Sequence, residues 1–121
     1  MFVQFAELPV FDQNRAKAFY VDKFGCEVIA DVPMGASDWR WIEVRFSDAQ
    51  TSLHFVRRQG DAPSKGPVLV FTSDDLPSAV QELRSKGVRI VKDIASAPYD
   101  PRRQVAEIDD SEGNRIVISS R

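Results

Sequence analysis

Residues 38–46, DWRWIEVRF, alternate along the chain with a period of two. Ile42, Val44 and Phe46 fall on one side of an extended backbone, and Trp39, Trp41, Glu43 and Arg45 on the other. The same test predicts strands in FVQFAELPV (2–10), CEVIADV (26–32) and TSLHFVR (51–57). Between the first two, QNRAKAFYVDKF places Ala16, Phe19, Tyr20 and Phe24 on one helical face. Asp12 stands where an N-cap should accept from the helix's orphan N–H groups, and Gly25 where a left-handed residue should end it.

Residues 58–66, RQGDAPSKG, are polar and rich in turn formers, so they read as a linker. The pattern then restarts. PVLVFTS is a strand, and Ser73 or Asp74 caps a helix over LPSAVQELRSK, with Pro77 in its first turn. The apolar face of that helix is Leu76, Ala79, Val80 and Leu83, and Gly87 ends it. Strands VRIVKD, RQVAEID and RIVISS follow, with a loop through Pro98 and Pro101 between the first two. Asp12 and Asp74, Gly25 and Gly87, and Asp48 and Asp110 are each 62 positions apart. Cap, helix stop and hairpin turn recurring together indicate a duplication. Each half reads β-α-β-β-β and buries too little by itself, so the expectation is an α+β fold in one domain, 1–121. Its parts are module one at 1–57, the linker at 58–66 and module two at 67–121.

Composition narrows the function. A net charge of −2 gives no electrostatic case for nucleic acid or an anionic membrane. The apolar runs are too short to span a bilayer, and no signal-peptide pattern opens the chain. Cys26 is the only cysteine, which excludes an internal disulfide and CxxC chemistry. A cytoplasmic location and a buried, inert Cys26 are expected. No Ser-His-Asp arrangement, GxGxxG or P-loop occurs.

Three strings carry a family resemblance. PVFDQNRAKAFYVDKFGCEV and FTSDDLPSAVQELRSKGVRI each run strand, Asp, helix, Gly, strand, and DDSEGNRIVI forms a turn entering the last strand. In that order they resemble the vicinal oxygen chelate superfamily of glyoxalase I, bleomycin-resistance proteins, extradiol dioxygenases and fosfomycin-resistance enzymes. The last string is similar to the family's Asp-Pro-Asp-Gly-Asn turn, with Ser111 replacing Pro. The resemblance implies two βαβββ modules forming a cupped mixed β-sheet with the helices outside, and a homodimer. Fold alone leaves the chemistry open.

Metal-using members point four His, Glu or Gln side chains into the cup. Carried over by position, these fall at Phe5, at His54 or Phe55, at Pro67 or Val68, and at Val117. Counting from the matched turn residues Asp48 and Asp110 favours Phe55. Only His54 could coordinate, and a divalent ion commonly takes three or four protein donors. No cofactor and no metal ligands are therefore expected, a divalent metal being the alternative.

The remaining candidates form a pocket of aromatic walls and few polar groups. Phe5, Trp39 and Trp41 are its walls, and Glu7, Glu43, Arg45 and Glu107 its charges. Ala106 and Ile108 pack inward on the strand carrying Glu107. Glu43 is the expected catalytic base because two tryptophans share its face; alternatively Glu43 and Arg45 pair with neighbouring strands. His54 reads as a helix-facing or partly exposed strand residue, or else as a lone ligand or base in the cup, with no carboxylate partner assignable by spacing. Tyr99 lies on a rim loop, where Arg102 and Arg103 either attract an anion or are simply solvated. The leading expectation is a metal-free small-molecule binder of the bleomycin-resistance kind, with weak acid–base chemistry at most. The rivals are a metal-dependent lyase or isomerase of the glyoxalase I type, and an interaction domain with Trp39 and Trp41 in a protein interface.

Overall fold

The computed structural model describes residues 1–60 and 62–121. The chain divides into two compact units, Met1–Asp61 and Ala62–Arg121. In the first, β1 (Phe5–Val10), α1 (Gln13–Phe24), β2 (Glu27–Val32), β3 (Trp41–Arg45) and β4 (Ser52–Arg57) follow in order. In the second come β5 (Pro67–Ser73), α2 (Leu76–Ser85), β6 (Ile90–Ala97), β7 (Asp100–Asp109) and β8 (Arg115–Ser120). Both are the predicted βαβββ modules. The mixed sheet is made as two four-stranded sheets, one per module, ordered β1-β4-β3-β2 and β5-β8-β7-β6. The first strand of each is parallel to the last, and the other pairings are antiparallel.

In the first unit Asp12 caps α1 by accepting from the Arg15 N–H at 3.0 Å, and Gly25 ends it at φ 71°. Ala16 and Tyr20 are fully buried with Leu8, Val10, Ile42, Val44 and Phe55. The rings of Tyr20 and Phe55 lie 6.0 Å apart, which fixes the sheet face that α1 covers. Gln13, an unpredicted buried residue, accepts from the Arg40 N–H at 3.0 Å and donates to the Arg40 carbonyl at 2.6 Å. That pair of hydrogen bonds pins the approach to β3 from α1.

In the second unit Leu76, Val80 and Leu83 of α2 are buried, as are Ala106, Ile108, Ile116 and Ile118. Three expectations change here. The α2 cap is Asp75, not Ser73 or Asp74: its carboxylate accepts from the Ser78 N–H at 3.1 Å and the Ser78 hydroxyl at 2.9 Å. Those two bonds hold Asp75 below its ordinary carboxylate value. The loop predicted through Pro98 and Pro101 is instead a tight hairpin in which Ala97 pairs with Asp100. Pro101 is tolerated within β7 because β8 pairs with that strand only from Val105 onward and the β6 register is irregular here. Finally, Ser64 of the predicted linker belongs to the second unit. It donates to the Gly113 carbonyl from its N–H at 3.0 Å and accepts from the Arg115 N–H at 2.9 Å.

The turn before β8 is built on Asp110, whose carboxylate accepts from the Glu112 N–H (2.7 Å), the Asn114 N–H (2.9 Å) and Asn114 Nδ2 (3.0 Å). Asp48 does a different job in the first unit, standing in the turn between β3 and β4 with φ 63°. The two aspartates match in spacing but not in role.

Candidate functional site

The face of the first sheet opposite α1 carries most of the predicted residues. Glu43 on β3 and Glu7 on β1 both pair with His54 on β4, so a row Glu43–His54–Glu7 crosses three neighbouring strands. Phe5 pairs with Ser52 in the next row. His54 is buried at 6% exposure, and its Nδ1 lies 2.7 Å from Glu7 Oε2. The Trp41 ring stacks on the imidazole at 3.6 Å between centroids, and Phe5 meets both rings edge-on, at 5.3 Å from His54 and 5.7 Å from Trp41. In the neutral tautomer whose Nδ1–H donates to the carboxylate, Nε2 is an acceptor; it is buried and without a hydrogen-bond partner.

This corrects two expectations. His54 is neither helix-facing nor exposed, and it has a carboxylate partner. Phe55, favoured by the turn count, packs beneath α1. The hairpins differ in length: Glu43 pairs with His54, whereas Glu107 pairs with Val117. A fixed offset therefore slips by one residue across the turn and reverses the face.

Glu43 accepts from Trp41 Nε1 at 2.8 Å and from the Ser52 hydroxyl at 2.7 Å. Ser52, almost fully buried, was missed by the sequence reading, although its place two residues before His54 puts it on the same face. Arg45 reaches Glu27 only at 4.0 Å, and its Nε is buried without an acceptor. An open cavity of about 570 Å³ on this face has Phe2, Gln4, Ile29, Glu43, Arg45 and Ser52 in its walls.

Trp39 stands just before β3. Its Nε1 donates to the Phe55 carbonyl at 3.3 Å, and the Arg57 guanidinium lies over its ring at 4.4 Å. The other candidates belong to the second unit. Glu107 is paired with Lys92 at 3.3 Å and Arg115 at 3.4 Å. Tyr99 is 69% exposed at the β6–β7 turn. Arg102 and Arg103 are engaged by Asp100, whose carboxyl the Arg102 guanidinium and N–H hold below its ordinary value.

The positions that hold metal in relatives can be tested on donor chemistry. Phe5, Pro67, Val68 and Val117 offer no donor atoms, and His54 has one ring nitrogen committed to Glu7. Among the described residues no group of three or more His, Cys, Asp or Glu side chains is placed to hold an ion. These residues do not fit the family's divalent metal.

The model of the Glyoxalase/Bleomycin resistance protein/Dioxygenase superfamily matches residues 2–118. The chain belongs to this superfamily. It is 31% identical to the uncharacterised protein YetH of Bacillus subtilis over 85 residues, covering 68% of this chain and 69% of YetH. Among solved structures it is similar to TnmS3, an antibiotic-binding protein from Streptomyces sp. CB03234, with 29% identity and a TM-score of 0.82 over 99% of this chain and 95% of that one. A superfamily member from Sphaerobacter thermophilus has the same fold, at 23% identity and a TM-score of 0.86, covering 100% of this chain and 98% of that one. Among the described residues no helix is long and apolar enough to cross a membrane.

Proposed function

We propose that this protein binds and sequesters an aromatic small molecule on the open face of its first sheet, without a metal ion. The observation that carries the reading is the assembly of Phe5, Trp41 and His54, with Glu7 orienting the imidazole and Nε2 left without a partner. Flat aromatic surface beside a few unsatisfied polar atoms is what a ligand pocket needs. A buried acceptor without a donor costs about 1–3 kcal/mol, and a ligand hydroxyl or N–H would recover it once Trp41 shifts aside. The antibiotic-binding activity of TnmS3 supports the same class of role.

If the ligand is also transformed, Glu43 is the base, because it lines the cavity. Each of its oxygens accepts one hydrogen bond and keeps a second lone pair for a proton.

The test is thermal unfolding with a panel of aromatic antibiotics, alongside metal analysis after dialysis against single divalent ions. A ligand at a hundredfold its Kd should add about 2.7 kcal/mol of stability. Trp41→Ala should abolish that gain. Stoichiometric retention of a metal, lost in His54→Ala, would sink this reading and favour a lyase or isomerase of the glyoxalase I type.

A further inference from the structure

We infer that Arg45 anchors a carboxylate on the ligand, so that the first unit selects small organic acids with an apolar body. This rests on the reading of that sheet face as a ligand surface, and it names the chemical class the face takes.

Arg45 is a cation without a proper partner. A guanidinium carries five N–H donors in a planar fork. Among the described residues none of Arg45's donors makes a hydrogen bond, and Nε is shielded from solvent as well. Its one ionic neighbour, Glu27, stays 4.0 Å away and is 57% exposed, so solvent screens that attraction. Two other cations of this unit are better served. Arg40 donates to Asp31 at 2.8 Å and Asn14 at 2.7 Å, and Lys17 donates to Asp31 at 2.8 Å.

The cavity supplies the remaining features. Its volume of about 570 Å³ suits a small organic molecule. Phe2 and Ile29 give it an apolar wall, and Gln4 and Ser52 a polar one. Glu43 also faces the space, and its charge opposes an anion. Both of its oxygens already accept hydrogen bonds from Trp41 and Ser52, which partly offset that charge. A carboxylate matches the guanidinium fork with two parallel bonds, which a neutral carbonyl cannot do. Its apolar remainder would then lie against Phe2 and Ile29.

Trp41 reports on the site through its bond to Glu43. Trp39 is the only other tryptophan, so Trp39→Phe leaves Trp41 as the sole indole emitter. In that background, sodium benzoate, benzamide and benzylamine are titrated while Trp41 emission is followed. Benzoate should give a saturable change, with benzamide and benzylamine at least about tenfold weaker. Arg45→Gln should remove the preference for benzoate at an unchanged thermal midpoint. Arg45→Lys, which keeps the charge but loses the fork, should weaken benzoate by an intermediate factor, and it serves if Arg45→Gln folds poorly. Glu27→Gln should bind benzoate equally or more tightly.

Equal affinity for benzamide, full benzoate affinity in Arg45→Gln, or no saturable benzoate signal below about 10 mM overturns the assignment. The broader reading fails separately. A neutral aromatic such as 1-naphthol that stabilises the wild type but not Trp41→Ala upholds an aromatic ligand face even when benzoate selectivity is absent.

Discussion

His54 is tied at Nδ1 and idle at Nε2, and this asymmetry gives its replacement an unusual energetic sign. His54→Phe removes a hydrogen bond to a half-exposed carboxylate, worth about 1.5–3 kcal/mol at most, and also relieves a buried acceptor costing about 1–3 kcal/mol. Stability by urea unfolding should therefore stay within about 1 kcal/mol of wild type or rise, while ligand stabilisation disappears. A loss of about 3 kcal/mol or more would make His54 a structural residue instead. Cys26 provides a second residue-level prediction. Burial pushes its thiol up to about 12, so almost no thiolate forms at pH 8. Iodoacetamide should label it only after denaturation, and rapid labelling of the native protein would contradict that burial. The burial of Cys26 was legible because a lone cysteine needs no partner to be interpreted. The Glu7–His54 pair was not, because its members are 47 residues apart and meet only through the parallel β1–β4 register. Local periodicity gives the face of a side chain but not its neighbour across strands.

Helices and strands were legible wherever their periodicity was long, and their edges moved where several residues could do one job. In the run Ser73, Asp74, Asp75, any of the three can cap a helix, and the geometry selects the last. The structure separates the two aspartates by function. Asp75 holds the Ser78 N–H, whereas Asp74 forms an exposed ion pair with Arg121. Asp75→Ala should lower the thermal midpoint by a few degrees, and Asp74→Ala should leave it nearly unchanged. Equal effects of the two substitutions would reject Asp75 as the cap. The β6–β7 hairpin shows the opposite limit of the sequence reading. Two prolines suggested a loop, yet β7 starts at Asp100 because a strand segment bonded on one side has room for a residue without an N–H.

At the scale of the whole molecule, the two modules share one element order but carry unlike residues on the sheet faces opposite their helices. His54 on β4 and Val117 on β8 occupy matching places, opposite Glu43 and Glu107 respectively. Histidine at this place in one unit and valine in the other was readable from the residue types alone. The charge pairs binding elements together were less visible, and they determine how the fold responds to acid. Asp31 on β2 is held below its ordinary value of about 3.8, first by the hydrogen bond from Arg40 and then by that from Lys17 of α1. The folded protein therefore releases this proton more readily than the unfolded chain does. Asp31 contributes its stability in full above the ordinary carboxylate range, and loses it as pH falls through the lower folded value. Asp75, Asp93 and Asp100 are shifted in the same direction, so their losses accumulate over the same acid window. Urea midpoints measured from pH 7 down to pH 3 should decline for the wild type. Asp31→Asn should be less stable at pH 7, decline less steeply, and approach the wild-type curve at the acid end. Two parallel curves would mean that Asp31 keeps its partners equally well in the unfolded chain, and that the bridge from β2 to α1 adds nothing to folding.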